Sequence, residues 1–311
     1  MWYVYILQCC DESYYVGIAS DVKKRVKRHN EGGGAVYTKA RRPVLLRYFE
    51  EFENKSEAKL REIEIKKLSH SNMTKPIKVA ASILCADFTK LGDEIRKCED
   101  SGVDLIHIDV MDGNFVPNIS IGHVIVETVR SITDLPIETH LMIERPWAYI
   151  DDFCNLGADI ISIHAECYGQ RREGCRQVGQ YPKEVDSIDF EKARKDISKI
   201  KQNGKKAFMA LNPGTPLCFG KLIQDLDGVL IMSVNPGFAR QKFNPVALPK
   251  IEELRKIFSG DISIDGGVNE KTSLDAVRAG ANILATASYF FGSQEPKKMV
   301  KRLKSIPSVP V

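Results

Sequence analysis

Short apolar runs alternate with helical periodicity from about residue 78 to the end of the chain. In order, the runs read VAASIL, LIHID, IETHLM, IISIH, AFMAL, VLIMSV, ISID and NILATA. Apolar runs of this length are typical of parallel strands buried on both faces, with helices as the crossovers between them. Eight such strands favour a (β/α)8 TIM barrel over an open doubly wound sheet.

The first part of the chain has a different pattern. Apolar, β-branched runs at 2–7, 14–19 and 44–52 are separated by helical patterns at about 21–30 and 56–68, which predicts a small α+β unit. The polar segment SHSNMTKP then predicts a linker. We therefore expect an α/β protein with a small domain at 1–70, a linker at 71–77 and the barrel at 78–311.

Composition is ordinary for a globular protein, with 43% hydrophobic and 28% charged residues. No run of about 18 apolar residues occurs, and the start of the chain lacks the pattern of a secretory signal, so we expect a cytoplasmic protein without a membrane partner. The 8 cysteines include no C-x-x-C pair, which favours reduced core thiols over a zinc site or disulfides.

Charge divides unevenly between the two parts. Residues 1–76 hold 15 Lys+Arg against 10 Asp+Glu, a net charge of +5, whereas the remainder holds 30 against 31, a net charge of −1. The basic surplus of the first part indicates an anionic polymer as its partner.

Polar residues follow the predicted barrel strands where each strand ends, and this rim carries the chemistry of such barrels. Within one strand, His107 and Asp109 are two residues apart and hence on one face. A lone histidine on an apolar strand is more often a core residue, but polar groups at every strand end weaken that interpretation. The rim residues are Ser82, His107, Asp109, His140, His164, Asn212, Ser233, Asn235, Asp265 and Ser288.

Two imidazoles and two carboxylates of this rim suit a divalent transition metal: His107, Asp109, His140 and Asp265. A metal would explain a carboxylate and an imidazole sharing a buried position. Asp109 and Asp265 come from different strands, so they can approach a substrate from two sides, as acid and base beside a carbonyl. A hydrolytic metal centre, in which one aspartate activates water, is the alternative.

Six segments carry a family resemblance: ASILCADFTKLGDEI, HIDVMDGNFVPNISIG, THLMIERP, ALNPGTP, SVNPGF and IDGGVN. Together they resemble ribulose-phosphate 3-epimerases, in order, from about 78 to 300. The resemblance implies interconversion of D-ribulose 5-phosphate and D-xylulose 5-phosphate through an enediolate. It also implies one divalent ion (zinc, iron, manganese or cobalt) held by the four residues above, with Asp109 and Asp265 as the catalytic pair.

The same resemblance implies a site for a phosphorylated ketopentose, formed by Ser82, His140, Gly237, Phe238, Ala239, Arg240, Gly266, Gly267, Ala287 and Ser288. Two departures stand out in it. The phosphate loop, usually GFGGQ, reads GFARQ here, and a family Gly-Ser is Ala287-Ser288. Arg240 could crowd the phosphate or give it a charge-assisted contact. Another ketose phosphate, such as a hexulose phosphate, therefore stays open as the substrate.

The segment 167–192 is longer than the family usually has after this strand. A long barrel loop of this kind is a lid, an oligomer contact or a solvated insertion, and the sequence does not choose between them. The resemblance itself implies a homo-oligomer.

The first domain contains VYIL, YYVGI, DVKKRVKRHN, GAVYTKARRPVLLRYFEEF and SEAKLREIEIKKL. These segments resemble the GIY-YIG nuclease domain. The resemblance implies that Glu62 is the metal carboxylate for magnesium or manganese and that Arg25 is the catalytic arginine. Tyr5, Tyr15 and Gly17 match the two altered tripeptides, and His29 shares a helix face with Arg25.

Weak, sequence-independent nucleic-acid binding is the expectation for residues 1–70, with Lys39, Arg41 and Arg42 on phosphates and Tyr37 stacked on a base. An active nuclease and a binding-only module both stay open. For the whole chain, the rival hypothesis is a nuclease whose barrel is only a scaffold. Four costly buried polar groups at one rim argue against that rival.

Overall fold

The computed structural model describes residues 1–11, 13–67, 75–169 and 184–306. These residues form two compact units: one consists of Met1–Ile77 and the described residues after Lys304, and the other spans Lys78–Lys304. Part of the predicted linker, 71–74, and most of the long segment after the fourth barrel strand, 170–183, lie outside the described residues. Within the described ranges, no helix is both long and apolar enough to cross a bilayer.

The first unit is an antiparallel sheet with helices on both faces. Its elements are β1 (Trp2–Gln8), β2 (Tyr14–Ala19), α1 (Val22–Asn30), α2 (Val36–Lys39), β3 (Leu45–Phe52) and α3 (Lys55–Lys67). The strand order is β2-β1-β3. The short helix α2 was not predicted, because four residues are too few to show a helical period.

Alternate residues of β1 enter two separate cores, as the strand period requires. Val4 and Ile6 pack with Ala58 and Ile65 of α3. Tyr5 instead packs in a second cluster with residues of α1 and of the loop before β3. Helices α1 and α3 therefore cover opposite faces of the sheet. This placement determines which polar residues of the unit can meet.

The second unit is a closed barrel of eight parallel strands. The strands are β4 (Lys78–Ser82), β5 (Leu105–Met111), β6 (Ile137–Met142), β7 (Ile160–His164), β8 (Lys206–Leu211), β9 (Gly228–Met232), β10 (Asp261–Asp265) and β11 (Ile283–Thr286). Going round the barrel, the order is β10-β11-β4-β5-β6-β7-β8-β9. The predicted TIM barrel, preceded by a small α+β unit, is confirmed.

Helices follow seven of the eight strands. They are α4 (Leu91–Ser101), α5 (His123–Ile132), α6 (Ile150–Asn155), α7 (Phe190–Gln202), α8 (Ala247–Ile257), α9 (Glu270–Ala279), α10 (Ser288–Phe291) and α11 (Pro296–Lys304). After β8 the chain forms only the 3₁₀ segment Gly220–Asp225. The prolines and glycines of NPGTPLCFG, which precede that segment, oppose a regular helix there.

The barrel interior is filled by side chains from several strands, among them Ala80, Ile160, Phe208 and Ile283. Such a packed centre leaves the carboxyl ends of the strands as the place for a site.

Candidate functional site

Four predicted ligands converge at the carboxyl ends of β5, β6 and β10. One ligand atom from each of His107, Asp109, His140 and Asp265 lies within 4.8 Å of all the others. Asp109 is also held by Ser82, whose hydroxyl donates to Asp109 Oδ2 at 2.7 Å. Strand pairing explains the convergence, because β5 is bonded to both β4 and β6 and places Asp109 directly opposite His140.

His107 is fixed by a carboxylate behind it. Its Nδ1 lies 3.0 Å from Glu138 Oε2, and Ser162 donates to the other Glu138 oxygen at 2.6 Å. The Nδ1 hydrogen therefore points to Glu138, and Nε2 faces Asp109 Oδ1 at 3.2 Å. Burial lowers the pKa of His107, but the negative charges of Asp109 and Glu138 outweigh it and raise the pKa well above the usual value.

His140 is oriented by a second chain of buried groups. Its Nε2 lies 2.8 Å from His164 Nε2, and His164 Nδ1 lies 2.9 Å from Glu166 Oε2. Glu166 also accepts from the Asn212 amide at 2.8 Å. Because a carboxylate only accepts, the Nδ1 of His164 donates to it. In the tautomer of His164 that carries its hydrogen on Nδ1, Nε2 accepts from His140 Nε2–H.

This tautomer leaves the Nδ1 lone pair of His140 facing Asp109 Oδ1 at 3.1 Å. The Nε2 of His107 faces the same oxygen, so with two neutral imidazoles two acceptors would approach a third acceptor. A proton or a cation must lie between such groups, because acceptors this close repel one another otherwise. The donor set of two imidazoles and two carboxylates suits a divalent transition metal, so the residues fit the ion that the sequence predicts.

The two aspartates of the site have opposite proton affinities. Burial would raise the pKa of Asp109, but the neighbouring His107 holds it well below its usual range. Burial and the negative charge of Asp109 raise the pKa of Asp265 to about 7. One carboxylate is thus ionised while the other can carry a proton near neutral pH, an arrangement typical of an acid and base pair.

Asp109 and Asp265 open into one cavity of about 700 Å³ at this rim. Nine of the ten residues predicted to bind substrate line it: Ser82, Gly237, Phe238, Ala239, Arg240, Gly266, Gly267, Ala287 and Ser288. The tenth, His140, is fully buried and is not among the lining residues. Position 267 requires glycine, since its φ is +59° and a Cβ would lie 2.4 Å from the Phe243 amide nitrogen.

Two buried carboxylates were missed as parts of the site by the sequence interpretation. Glu138 precedes His140 by two residues on one strand, and Glu166 follows His164 by the same interval. Both are at most 7% exposed. A charged residue inside the apolar runs IETHLM and IISIHAE was the available signal, because a buried carboxylate needs a partner.

The N-terminal unit gathers a second polar cluster around Tyr5. The Tyr5 hydroxyl lies 3.0 Å from His29 Nε2, and Arg25 Nε donates to the same hydroxyl at 3.3 Å. The ring of Tyr15 lies 5.1 Å from that of His29. Gly17 stands against Tyr5, and a Cβ there would lie 2.7 Å from the Tyr5 hydroxyl.

Thr38 sets the tautomer of His29, a role the sequence did not indicate. Its hydroxyl donates to Ala35 O at 2.9 Å, so it accepts from His29 Nδ1 at 2.7 Å. His29 Nε2 is then an acceptor, and Tyr5 donates its proton to it. Burial lowers the pKa of His29 to about 4 and raises the pKa of Tyr5 to about 12.

Glu62 is engaged elsewhere. Its two oxygens accept from Lys59 and Lys66, both at 2.6 Å, and it lies on α3, which packs on the sheet face opposite Tyr5. Among the described residues, no hydrogen bond or ion pair joins it to the Tyr5 cluster. Of the six predicted residues of this domain, five come together and Glu62 does not join them.

The predicted phosphate and base contacts around Tyr37 are partly occupied by the protein itself. The Arg41 guanidinium lies 4.2 Å from the Tyr37 ring centre and pairs with Asp11 at 2.9 Å. Arg42 donates to the Lys39 carbonyl at 2.9 Å.

The seven described cysteines are free thiols, four of them buried.

The fold and the larger site define a class: a TIM-barrel enzyme with a paired-aspartate site that could hold a divalent metal. Residues 78–186 and 183–291 match the family model "Ribulose-phosphate 3 epimerase family", and residues 1–75 match "GIY-YIG catalytic domain". The chain belongs to the ribulose-phosphate 3-epimerase family, and it carries an N-terminal GIY-YIG domain. Both predicted resemblances are confirmed, and the barrel is an isomerase of this type.

Relatives support this assignment over most of their own length. The chain is 45% identical over 235 residues to a ribulose-phosphate 3-epimerase of Bacillus subtilis, covering 73% of this chain and 98% of that protein. It is 40% identical to the chloroplastic ribulose-5-phosphate-3-epimerase of Arabidopsis thaliana, covering 73% and 76%. A solved 3-hexulose-6-phosphate synthase matches at a TM-score of 0.50 and 15% identity, covering 75% of this chain and 100% of that chain, which shows the fold alone.

Proposed function

We propose that the barrel interconverts D-ribulose 5-phosphate and D-xylulose 5-phosphate by proton transfer at C3 through an enediolate. The observation that carries the proposal is the pair of aspartates in one cavity with opposite proton affinities. Ionised Asp109 takes the C3 proton on one face, and protonated Asp265 delivers a proton to the other face. In the reverse direction the two residues exchange roles.

The remaining polar groups hold this pair in place. Ser82 fixes the Oδ2 of Asp109, while Glu138 and Glu166 set the tautomers of the two histidines. A divalent ion bound by His107, Asp109, His140 and Asp265 would supply positive charge for the developing oxyanion. Zinc, iron, manganese and cobalt all accept such a donor set.

Proton NMR in heavy water tests the proposal. The protein, loaded in turn with manganese, iron, cobalt or zinc, is mixed with D-ribulose 5-phosphate. We expect D-xylulose 5-phosphate with deuterium at C3. Absence of both product and deuterium with all four metals would contradict the proposal and favour a hexulose phosphate as the substrate, which the same assay then examines.

For the N-terminal unit, the second candidate function is hydrolysis of nucleic-acid phosphodiesters. The Tyr5 cluster supports it, because His29 and Arg25 fix the Tyr5 hydroxyl by hydrogen bonds and the Arg25 guanidinium can stabilise negative charge on a phosphate. A magnesium or manganese ion would need Glu62 to leave its two lysines. Cleavage of labelled DNA with either ion, lost in Tyr5→Phe, is the expected result; equal cleavage by that variant contradicts it.

Salt-dependent nucleic-acid binding by residues 1–70 and a homo-oligomeric barrel complete the proposal. Binding measured at several salt concentrations should weaken steeply as salt rises, because phosphate contacts release counterions.

For the barrel, light scattering coupled to size exclusion measures the subunit number directly. A purely monomeric species at micromolar concentration would contradict the homo-oligomer.

A further inference from the structure

Arg240 has a backbone conformation that favours glycine. Its φ is 61°, and it is the one non-glycine residue with positive φ in the part of the chain that the structure describes. A side chain in this region costs free energy, and such strain is concentrated at functional sites. The arginine therefore occupies a position where glycine would be easier to accommodate.

The loop that carries Arg240 is fixed at several points. Gln241 Nε2 donates to the Asn235 carbonyl at 2.7 Å and to the Phe238 carbonyl at 2.9 Å. Asn118 donates to the Gly237 carbonyl at 2.7 Å. These bonds hold the backbone on both sides of Arg240, whereas its side chain is exposed and lines the cavity.

The side chain extends across one quadrant of the rim. Arg240 follows β9, yet its guanidinium lies close enough to the Cys85 thiol, which follows β4, to oppose the rise in the pKa of that thiol. Strands β10 and β11 lie between β9 and β4 in the barrel. The guanidinium therefore lies at the part of the cavity formed by the ends of those two strands, where Gly267 and Ser288 also line the wall.

A thiol is a weak partner for a guanidinium. Burial raises the pKa of Cys85, and Arg240 only partly opposes this. The two carboxylates of the cavity, Asp109 and Asp265, pair with histidines, and Arg240 forms no ion pair within the described residues. The fork of its N–H donors thus remains available for an anion, and a phosphate matches that fork.

We propose that Arg240 is a specificity residue that binds the phosphate of a sugar monophosphate at the β10–β11 quadrant of the rim. The inference rests on the proposed epimerase function and names the group by which this chain selects phosphorylated over free sugars. The strained backbone is retained because it directs the guanidinium across the cavity.

The test compares Arg240→Gly, which removes both charge and strain, with Arg240→Lys, which keeps the charge. Lys256→Ala is the matched control, since this exposed lysine lies at the far end of α8 from the rim. Dissociation constants for inorganic phosphate, and KM and kcat for D-ribulose 5-phosphate and free D-ribulose, are measured for each protein.

For Arg240→Gly, we expect phosphate affinity to fall and KM for D-ribulose 5-phosphate to rise by about tenfold, with a much smaller effect on kcat and on turnover of free D-ribulose. Its melting temperature should equal or exceed that of the parent, because the strain is gone. Arg240→Lys should lie between the two, and Lys256→Ala should match the parent.

Phosphate affinity within twofold of the parent in Arg240→Gly would overturn the inference, as would an equal loss for both sugars. Failure of the proposed function is distinguishable from this result. In that case the parent epimerises neither sugar, yet the phosphate dissociation constants still show whether Arg240 binds the anion.

Discussion

The barrel and the N-terminal unit each bury histidines beside oxygen atoms, but the hydrogen-bond partners differ in kind. In the barrel, Glu138 accepts an N–H of His107 directly, and Glu166 orients His140 through His164. The other ring nitrogens of His107 and His140 both face Asp109. In the N-terminal unit, Thr38 accepts from His29 and Tyr5 donates to it, so each nitrogen has a matched partner.

The difference shows how one residue type serves two kinds of site. A buried histidine whose free nitrogen faces another acceptor requires a cation or an extra proton. A buried histidine placed between an acceptor and a donor is complete and can only receive a proton. The barrel cluster could therefore hold a metal ion, whereas the hydrogen bonds of the Tyr5 cluster are complete without one.

Among the substitutions considered, Asp109→Asn should change the activity of the barrel the most. Epimerisation should fall by about a thousandfold or more, because the variant lacks both the basic carboxylate and the negative charge on which the two histidines converge. Any DNA cleavage should be unchanged. Steady-state rates for both reactions, with metal content recorded, make the check; a parallel loss of both activities would mean that the two units are not independent.

Glu138→Gln should weaken the hydrogen bond that orients His107, and it changes no residue that lines the cavity. We expect metal affinity to fall by about 10–100-fold, since the partner of a ligating imidazole fixes its orientation and basicity. Competition with a chromogenic chelator measures the affinity. Glu127→Gln, an exposed change on α5, is the control; an equal loss in both variants would contradict the role of Glu138.

Gly17→Ala should disturb the Tyr5 cluster alone. Its new methyl group would lie 2.7 Å from the Tyr5 hydroxyl, which should destabilise the N-terminal unit by about 1–3 kcal/mol. Gly33→Ala is the matched control, because its nearest neighbour is a flexible Arg28 side chain at 3.2 Å. Denaturant unfolding followed by Trp2 fluorescence in a Trp147→Phe background reports on this unit; equal stability of the two variants would argue against tight packing at Gly17.

Acid should weaken the N-terminal unit through His29. Burial, with the charges of Arg25 and Arg28, lowers its pKa from 6.5 to about 4, so the unfolded chain binds the proton first. The free energy of unfolding should be constant above pH 6.5 from this group and decrease as pH falls towards 4. The same fluorescence assay measures it, and a His29→Gln variant that keeps the full decrease would exclude His29 as the cause.

The barrel residues were predictable because parallel strands end at one rim. His107, Asp109, His140 and Asp265 lie at the ends of strands that the apolar runs already define, so topology alone brings them together. Their supporting glutamates were not predicted, although Glu138 lies in the same strand as His140. Single-residue patterns show which face a residue takes, not what it bonds to.

The N-terminal site was predicted less completely for a related reason. Tyr5, Tyr15 and Gly17, which the family resemblance implied, pair across two antiparallel strands, and Arg25 and His29 follow on one helix, so these five residues meet. Glu62 lies on a helix, and the spacing of residues in the sequence does not show which face of the sheet that helix packs against. Thr38 lies in a helix that is too short to predict. The left-handed conformation of Arg240 likewise depends on a loop whose Gly237 carbonyl accepts a hydrogen bond from the distant Asn118 side chain.

The division of proton transfer between two aspartates is tested most directly by deuterium exchange with each variant, Asp109→Asn and Asp265→Asn. Metal-loaded protein is incubated in heavy water with D-ribulose 5-phosphate or D-xylulose 5-phosphate, and C3 is followed by NMR. The account predicts that neither variant interconverts the sugars, yet each exchanges the C3 hydrogen of one sugar, and the two variants choose opposite sugars. Exchange of the same sugar by both variants, or of neither sugar by either at full metal content, would contradict it.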